Sequence, residues 1–213
     1  MTKISAIIFD LGGVILNIDQ EKTLRAFRRL GLELEDVHTE MPIFNEFETG
    51  RLTVEEFRLI LKTKLHGQIS DEQIDAAWNA MILDLPNERL EIIKKLRKHV
   101  KVYLLSNTNA LHMQEFYATL ERTHGVDSWN NLFDTIFYSY QIGLRKPDTA
   151  CFRYVCRQIN LAPEQCLFID DSKVNIRGAE AAGLKTHWCH APISMETLPE
   201  LLAVLKTTNP RHN

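Results

Sequence analysis

What this sequence lacks already narrows its chemistry. Its four cysteines, Cys151, Cys156, Cys166 and Cys189, crowd into the last third of 213 residues and form no C-x-x-C pair, which removes the usual spacing of a zinc site. No basic start, apolar stretch and small-residue cleavage site mark the N-terminus, so the expectation is a cytoplasmic protein with reduced thiols. Long hydrophobic runs are missing too: residues 6–9 and 100–105 are the most apolar, far short of the roughly 20 residues of a membrane helix. Nor does charge of one sign dominate. With 25 Lys and Arg against 28 Asp and Glu, the formal charge is −3, and neither nucleic acid nor a membrane is an expected partner. Repeats and low-complexity tracts are absent. The 45% apolar and 25% charged composition is that of an ordinary globular chain, one domain or a core with a smaller insert.

What is present is an alternation of two kinds of segment. Short β-branched and aromatic runs occur at residues 4–10 (I-S-A-I-I-F-D), 100–106 (V-K-V-Y-L-L-S), 135–139, 166–170 (C-L-F-I-D) and 186–189, each ending in a polar residue. Helix-length amphipathic stretches lie at 87–98, 111–124, 148–159, 174–182 and 195–206, the last opening near Ser194 as its N-cap. Strands alternating with helices predict the α/β class: a doubly wound, Rossmann-like parallel sheet, whose ligands bind beyond the carboxyl ends of the strands. One stretch breaks the rhythm. From about residue 20 to 85 the pattern is helical throughout, with helices expected at 20–30, 37–47, 54–65 and 71–83. It leaves the sheet directly after the first strand, at the ligand-binding end, and is read as an inserted helical cap. The expected division is a core of residues 1–17 and 86–213 with a cap of residues 18–85; residues 207–213 read as a frayed tail.

The polar strand endings carry the chemistry. Asp10 closes the first run before Gly12 and Gly13, where a sharply turning backbone lets a ligand approach closely and the carboxylate suits a nucleophile. Its plainer reading is a strand-ending turn. Ser106 and Asn107 offer a hydroxyl, an amide and turn N–H groups before a helix, the equipment of a phosphate site, or simply a helix cap. Lys146, in G-L-R-K-P-D, could bridge a carboxylate nucleophile and phosphate oxygens; the alternative is a surface lysine. Asp170 and Asp171 repel each other unless a cation lies beside them, and with Asp10 they are hard oxygen ligands of the kind Mg2+ takes.

Taken together, D-L-G-G-V at residues 10–14, L-S-N at 105–107, R-K-P at 145–147 and I-D-D-S at 169–172 resemble the four ordered motifs of the haloacid dehalogenase-like hydrolase superfamily. The resemblance runs from residue 4 to about 186, and the helical insert looks like the small cap of the phosphoglucomutase-like and dehalogenase-like branches. More narrowly, F-D-L-G-G-V-I-L-N-I-D and L-S-N-T-N resemble a bacterial group that includes α-D-glucose-1-phosphate phosphatases. The resemblance implies that Asp10 is the nucleophile and a Mg2+ ligand, that Gly12 lends its carbonyl to the metal, and that Ser106 and Asn107 bind the phosphoryl group. Lys146 would orient Asp10 and phosphate, and Asp170 and Asp171 would complete the metal site, with Asp171 favoured as direct ligand. The implied activity is a Mg2+-dependent phosphatase acting on a small phosphorylated molecule, a sugar phosphate favoured, through an aspartyl phosphate. The oligomeric state stays open.

The chain departs from that pattern at one position. Most phosphatases of the superfamily carry an acid/base aspartate two residues after the nucleophile, where this chain has Gly12. Either a cap-side group replaces it, with Asp19, Glu46 and Glu48 the nearest, or the leaving oxygen needs little protonation, as in anomeric, aryl or acyl phosphates. Two further readings remain: a metal-free 2-haloacid dehalogenase, for which a paired carboxylate beside Asp10 has no use, and a non-catalytic scaffold or phosphate sensor. The turn E-T-G-R, from Glu48 to Arg51, serves either specificity or a helix-ending glycine at Gly50. His187 and His190 lie three apart on an expected strand and so face opposite ways, which discounts a metal site with Cys189. Trp78, Trp129 and Trp188 read as packing residues.

Overall fold

In the computed structural model, which describes residues 2–32, 42–65 and 68–207, the apolar runs form five strands: β1 (Ala6–Phe9), β2 (Lys101–Ser106), β3 (Thr135–Tyr138), β4 (Cys166–Asp170) and β5 (Lys185–Trp188). All pair in parallel, in the order β3-β2-β1-β4-β5. The chain steps outward from β1 to β2 and β3, then returns to lay β4 against the other side of β1. That reversal makes the β1/β4 border the switch point, where a doubly wound sheet opens a crevice at its carboxyl edge. Asp10 and Asp170 stand on that border.

Alternate side chains explain why the strands read as unbroken apolar runs. Ile7, Phe9, Val102, Leu104, Leu167 and Ile169 pack on one face; Ala6, Ile8, Tyr103, Leu105, Cys166 and Phe168 pack on the other. The first face is covered by α5 (Asn87–Arg97), α6 (Ala110–Thr123) and α11 (Leu198–Thr207). The second is covered by α9 (Thr149–Gln158) and α10 (Lys173–Ala181). Two short helices not expected from the pattern, α7 (Val126–Asn130) and α8 (Ser139–Ile142), flank β3. No helix among the described residues is long and apolar enough to cross a membrane.

Between β1 and α5 lie α1 (Gln20–Arg29), α2 (Pro42–Glu48), α3 (Val54–Lys64) and α4 (Asp71–Asn79). They share an apolar cluster of their own, in which Phe47 stacks on Phe57 (4.1 Å between centroids) and Phe44 on Trp78 (4.9 Å). Reciprocal capping boxes start α3 (Thr53 with Glu56) and α4 (Ser70 with Gln73). Residues 37–41 of the second expected helix lie outside the described residues, as do residues 208–213 of the expected tail. The helix expected over 71–83 ends at Asn79, because the chain beyond it pairs with the outgoing strand of a two-stranded neck. There Asp19 N–H donates to Met81 O, Leu83 N–H to Asn17 O and Asn17 N–H to Asp84 O. The helix expected from 195 begins at Leu198, since Ser194 O is used by the N–H groups of Thr197 and Leu198 in a preceding turn.

Asn109 is one of the side chains that join the insert to the core. Fully buried, it caps α6 by accepting from His112 N–H (3.0 Å) and also accepts from Trp78 Nε1 of α4 (3.1 Å). The His112 ring lies flat on Trp78, 4.8 Å between centroids. Asn109→Ala orphans both donors and should lower the unfolding free energy by about 1–3 kcal/mol, read from urea titration as a lower midpoint with an unchanged slope.

Candidate active site at the carboxyl edge of the sheet

Asp10 leaves β1 with its N–H donating to Ile169 O (2.9 Å), so its carboxylate rises at the β1/β4 border. There it meets Lys146, whose ammonium donates to Asp10 Oδ1 (2.6 Å) and to Asp170 Oδ2 (2.8 Å). Only 1% of Lys146 is exposed, and its Nζ lies 5.3 Å from the centre of the Phe168 ring. The surface-lysine reading is therefore set aside. Asp170, wholly buried, also accepts from Ser172 N–H (2.7 Å) and from Asn175 Nδ2 through both oxygens (3.2 and 3.1 Å). Asp171 is exposed and leans over Gly13: a Cβ at that glycine would stand 2.3 Å from Asp171 Oδ2. Gly13 also has a φ of +77°, so both backbone geometry and the carboxylate's approach require the absence of a side chain.

The three carboxylates bring oxygens within 4.8 Å of one another, against the single ammonium of Lys146. Burial pushes the Asp10 carboxyl up, and the neighbouring Asp170 and Asp171 charges add to this against the pull of Lys146, to about 7. Burial and the Asp170 charge likewise raise Asp171. Burial works to lower Lys146, but Asp10 and Asp170 overcome it and hold the ammonium above the ordinary lysine range. This is an all-oxygen donor set with excess negative charge, and it fits a hard divalent cation such as Mg2+. Among the described residues it is the one such grouping of three or more potential metal ligands. His187 instead lies 3.7 Å from Glu200, His190 packs on Trp188, and Cys189 Sγ donates to Ala191 O.

A cleft of about 480 Å3 opens above the carboxylates, bordered by Asp10, Gly12, Ser106, Asn107, Lys146 and Asp171. Ser106 is buried at the end of β2, its hydroxyl making a long 3.5 Å contact to Asn107 O. Asn107 is differently employed from the sequence expectation. Its Nδ2 donates to Lys146 O (2.8 Å) and its Oδ1 accepts from Lys146 N–H (2.9 Å). At Gly12 a Cβ would come 3.1 Å from Ile18 Cδ1, so isoleucine occupies the space beside the position where an acid/base carboxylate was missed.

Of the cap-side acids, only Glu48 borders the cleft. It is buried and accepts from Arg145 Nη2 (2.8 Å) and Nε (3.2 Å), joining α2 to the loop that carries Lys146. Asp19 starts α1 and faces Arg25 (3.6 Å), while Glu46 and Arg51 border a separate cavity of about 190 Å3 and stand outside the cleft. The Glu48–Arg51 turn does end its helix with a left-handed Gly50, and it also brings Glu48 to the cleft. Sequence reading passed over Arg145, Asn175 and His112. Arg145 stood inside the R-K-P motif, and Asn175 sits on the first turn after the Asp pair; His112 carried no signal apart from its place in a helix. Trp78, expected to be packing alone, also borders the cleft.

The raised carboxyls have a consequence for stability. A group whose pKa is higher in the folded state stabilises it fully below the unfolded pKa, near 3.8 for Asp10, and that contribution disappears as pH rises through about 7. The metal-free protein should therefore lose thermal stability from this site between pH 4 and 7. Mg2+ should raise the melting temperature more at pH 7 than at pH 5, as measured by scanning calorimetry with and without EDTA.

The haloacid dehalogenase-like hydrolase family model matches residues 4–183. The chain is 34% identical over 187 residues to D-ribitol-5-phosphate phosphatase of Bacteroides thetaiotaomicron, covering 86% of this chain and 90% of that protein. It is 25% identical to a phosphorylated carbohydrates phosphatase of Thermotoga maritima, covering 84% and 82%. Among solved structures, a HAD family enzyme of B. thetaiotaomicron in complex with magnesium and inorganic phosphate superposes with a TM-score of 0.79 at 32% identity, covering 92% of this chain and 98% of that one. The carboxylates at the switch point thus belong to a familiar setting: the chain is a member of the haloacid dehalogenase-like hydrolases.

Proposed function

We propose that this hydrolase is a Mg2+-dependent phosphatase acting on a small phosphomonoester, with Asp10 as nucleophile. The observation that carries the reading is the buried Lys146 ammonium shared by Asp10 and Asp170, with the exposed Asp171 carboxylate within 4.8 Å of both acids. Asp10, Asp171 and the Gly12 carbonyl would hold Mg2+ directly, with Asp170 fixed behind them by Lys146, Ser172 and Asn175. Bound there, Mg2+ polarises the phosphoryl group and favours the ionised form of Asp10. Asp10 attacks phosphorus in line; the bond to the leaving oxygen breaks as the Asp10–phosphorus bond forms, and water then cleaves the aspartyl phosphate. Lys146 holds Asp10 and neutralises the transferring oxygens, while the Ser106 hydroxyl binds the phosphoryl group. Residues 1–17 and 86–213 act as the core, and residues 18–85 as a cap that shields the intermediate from bulk water. The four free, buried thiols support a reducing compartment, the cytoplasm.

The relatives named for ribitol 5-phosphate and for phosphorylated carbohydrates support a phosphorylated sugar or sugar alcohol as substrate. Within that class, Gly12 with Ile18 beside it favours esters whose leaving oxygen departs without a proton from the protein, such as anomeric phosphates. Glu48, engaged by Arg145, is the cap-side acid that borders the cleft.

The test is a screen of sugar, nucleotide and aryl phosphates with Mg2+ or EDTA. Hydrolysis should stop on chelation, and Asp10→Asn should abolish it, at least 1,000-fold, while leaving the melting temperature of the folded protein measurable. At equal Mg2+, kcat should fall steeply as the leaving alcohol becomes more basic. Halide release from a 2-haloacid that is indifferent to EDTA would return the dehalogenase reading, and folded protein with no turnover on any ester would return the scaffold reading.

A further inference from the structure

The phosphatase reading rests on Lys146, and the structure raises the question of what holds that residue in place. Its loop follows α8 and has no strand to fix it. Two contacts grip the backbone. On one side Asn107, 39 positions earlier at the tip of β2, spans the Lys146 main chain with its amide, donating to the carbonyl and accepting from the N–H as a neighbouring strand would. On the other side α10 lies flush against the next residue: a Cβ at Gly178 would stand 2.2 Å from Pro147 O. The same device recurs one residue along, where the buried Ser139 hydroxyl accepts from Thr108 N–H (2.9 Å) and donates to Thr108 O (3.0 Å). Loops after β2 and β3 are thereby tied by side chains standing in for a ladder that has ended.

We propose that Asn107 is a positioning residue for Lys146 and not a ligand of the phosphoryl group. An asparagine amide is a planar donor and acceptor at a fixed separation, so it matches the N–H and C=O of one residue as a peptide group does. Both of its heteroatoms are committed to Lys146, and the distance from that backbone to the Nζ contacts at Asp10 and Asp170 is a single side chain. Loss of the amide frees the loop and lets the ammonium drift from the geometry that its two short hydrogen bonds demand.

The test is a double-mutant cycle on p-nitrophenyl phosphate with saturating Mg2+, using Asn107→Ala, Lys146→Ala and the pair. Asn107→Ala should lower kcat by tenfold to a hundredfold, with KM and the inhibition constant for inorganic phosphate changed less than threefold. In the Lys146→Ala background the same substitution should cost less than twofold. Amide hydrogen exchange gives a readout independent of turnover: the Lys146 N–H should exchange at least tenfold faster in Asn107→Ala, with the β1 amides unchanged. Should that variant fail to fold, Asn107→Ser, which keeps a polar side chain but cannot span both groups, takes its place with the same expectations. A rise of tenfold or more in KM and in the phosphate inhibition constant with kcat retained, full additivity in the pair, or unaltered exchange at Lys146 would overturn the proposal. Absence of p-nitrophenyl phosphate hydrolysis by the folded wild-type protein with Mg2+ would instead overturn the phosphatase reading itself, and wild-type turnover by Lys146→Ala would overturn the role given to Lys146, so the failures are separable.

Discussion

A lysine ammonium buried between two carboxylates is the constraint on which the rest of this site depends. Removing that charge from water costs several kcal/mol unless its donors are met by oxygens in good geometry. The fold meets that demand with Asp10 at 2.6 Å and Asp170 at 2.8 Å, which must therefore come from adjacent strands. Only a chain that turns back to lay β4 beside β1 brings those two residues to one border. The surrounding contacts follow the same logic: Asn175 and Ser172 fill the remaining acceptor capacity of Asp170, and Gly178 lets α10 close on Pro147. What is left over is negative charge at Asp171 and Asp10, and that surplus turns a structural ion pair into a place for a cation.

Much of this was legible in the sequence because burial on both faces of a parallel sheet leaves a plain mark. The runs ending in Asp10, Ser106 and Asp170 are apolar over the four residues before their last, so the polar terminus announces the edge where ligands gather. Lys146 was legible only from its company in R-K-P, since nothing about an isolated lysine signals burial. The features that escaped depend on pairings across distance. Glu48 meets Arg145 across 97 positions, and Asn107 meets Lys146 across 39, so no local pattern distinguishes them from an exposed helix end or a cap. Helix ends escaped for a related reason: α4 stops at Asn79 because the backbone beyond it finds partners in the neck, a choice made by tertiary hydrogen bonds and not by propensity.

Apolar residues around the cleft play two roles. Ile18 lies against Gly12, its Cδ1 3.1 Å from where a Cβ would stand, and Trp78 both belongs to the insert's aromatic cluster and stacks flat on the His112 ring. Specificity in such a cleft arises as much from what is excluded as from what is bound.

The neck between core and insert constrains how the two can part. Its incoming and outgoing segments are bonded to each other as a short antiparallel ribbon, and Arg89 of α5 fastens the ribbon's base by donating to Ile15 O and Asn17 Oδ1 (2.8 Å each). A ribbon paired in this way resists stretching and shear, and the buried Glu48, held by Arg145 Nε and Nη2, ties α2 to the core at a second point, so parting the two walls of the cleft means giving up that ion pair as well.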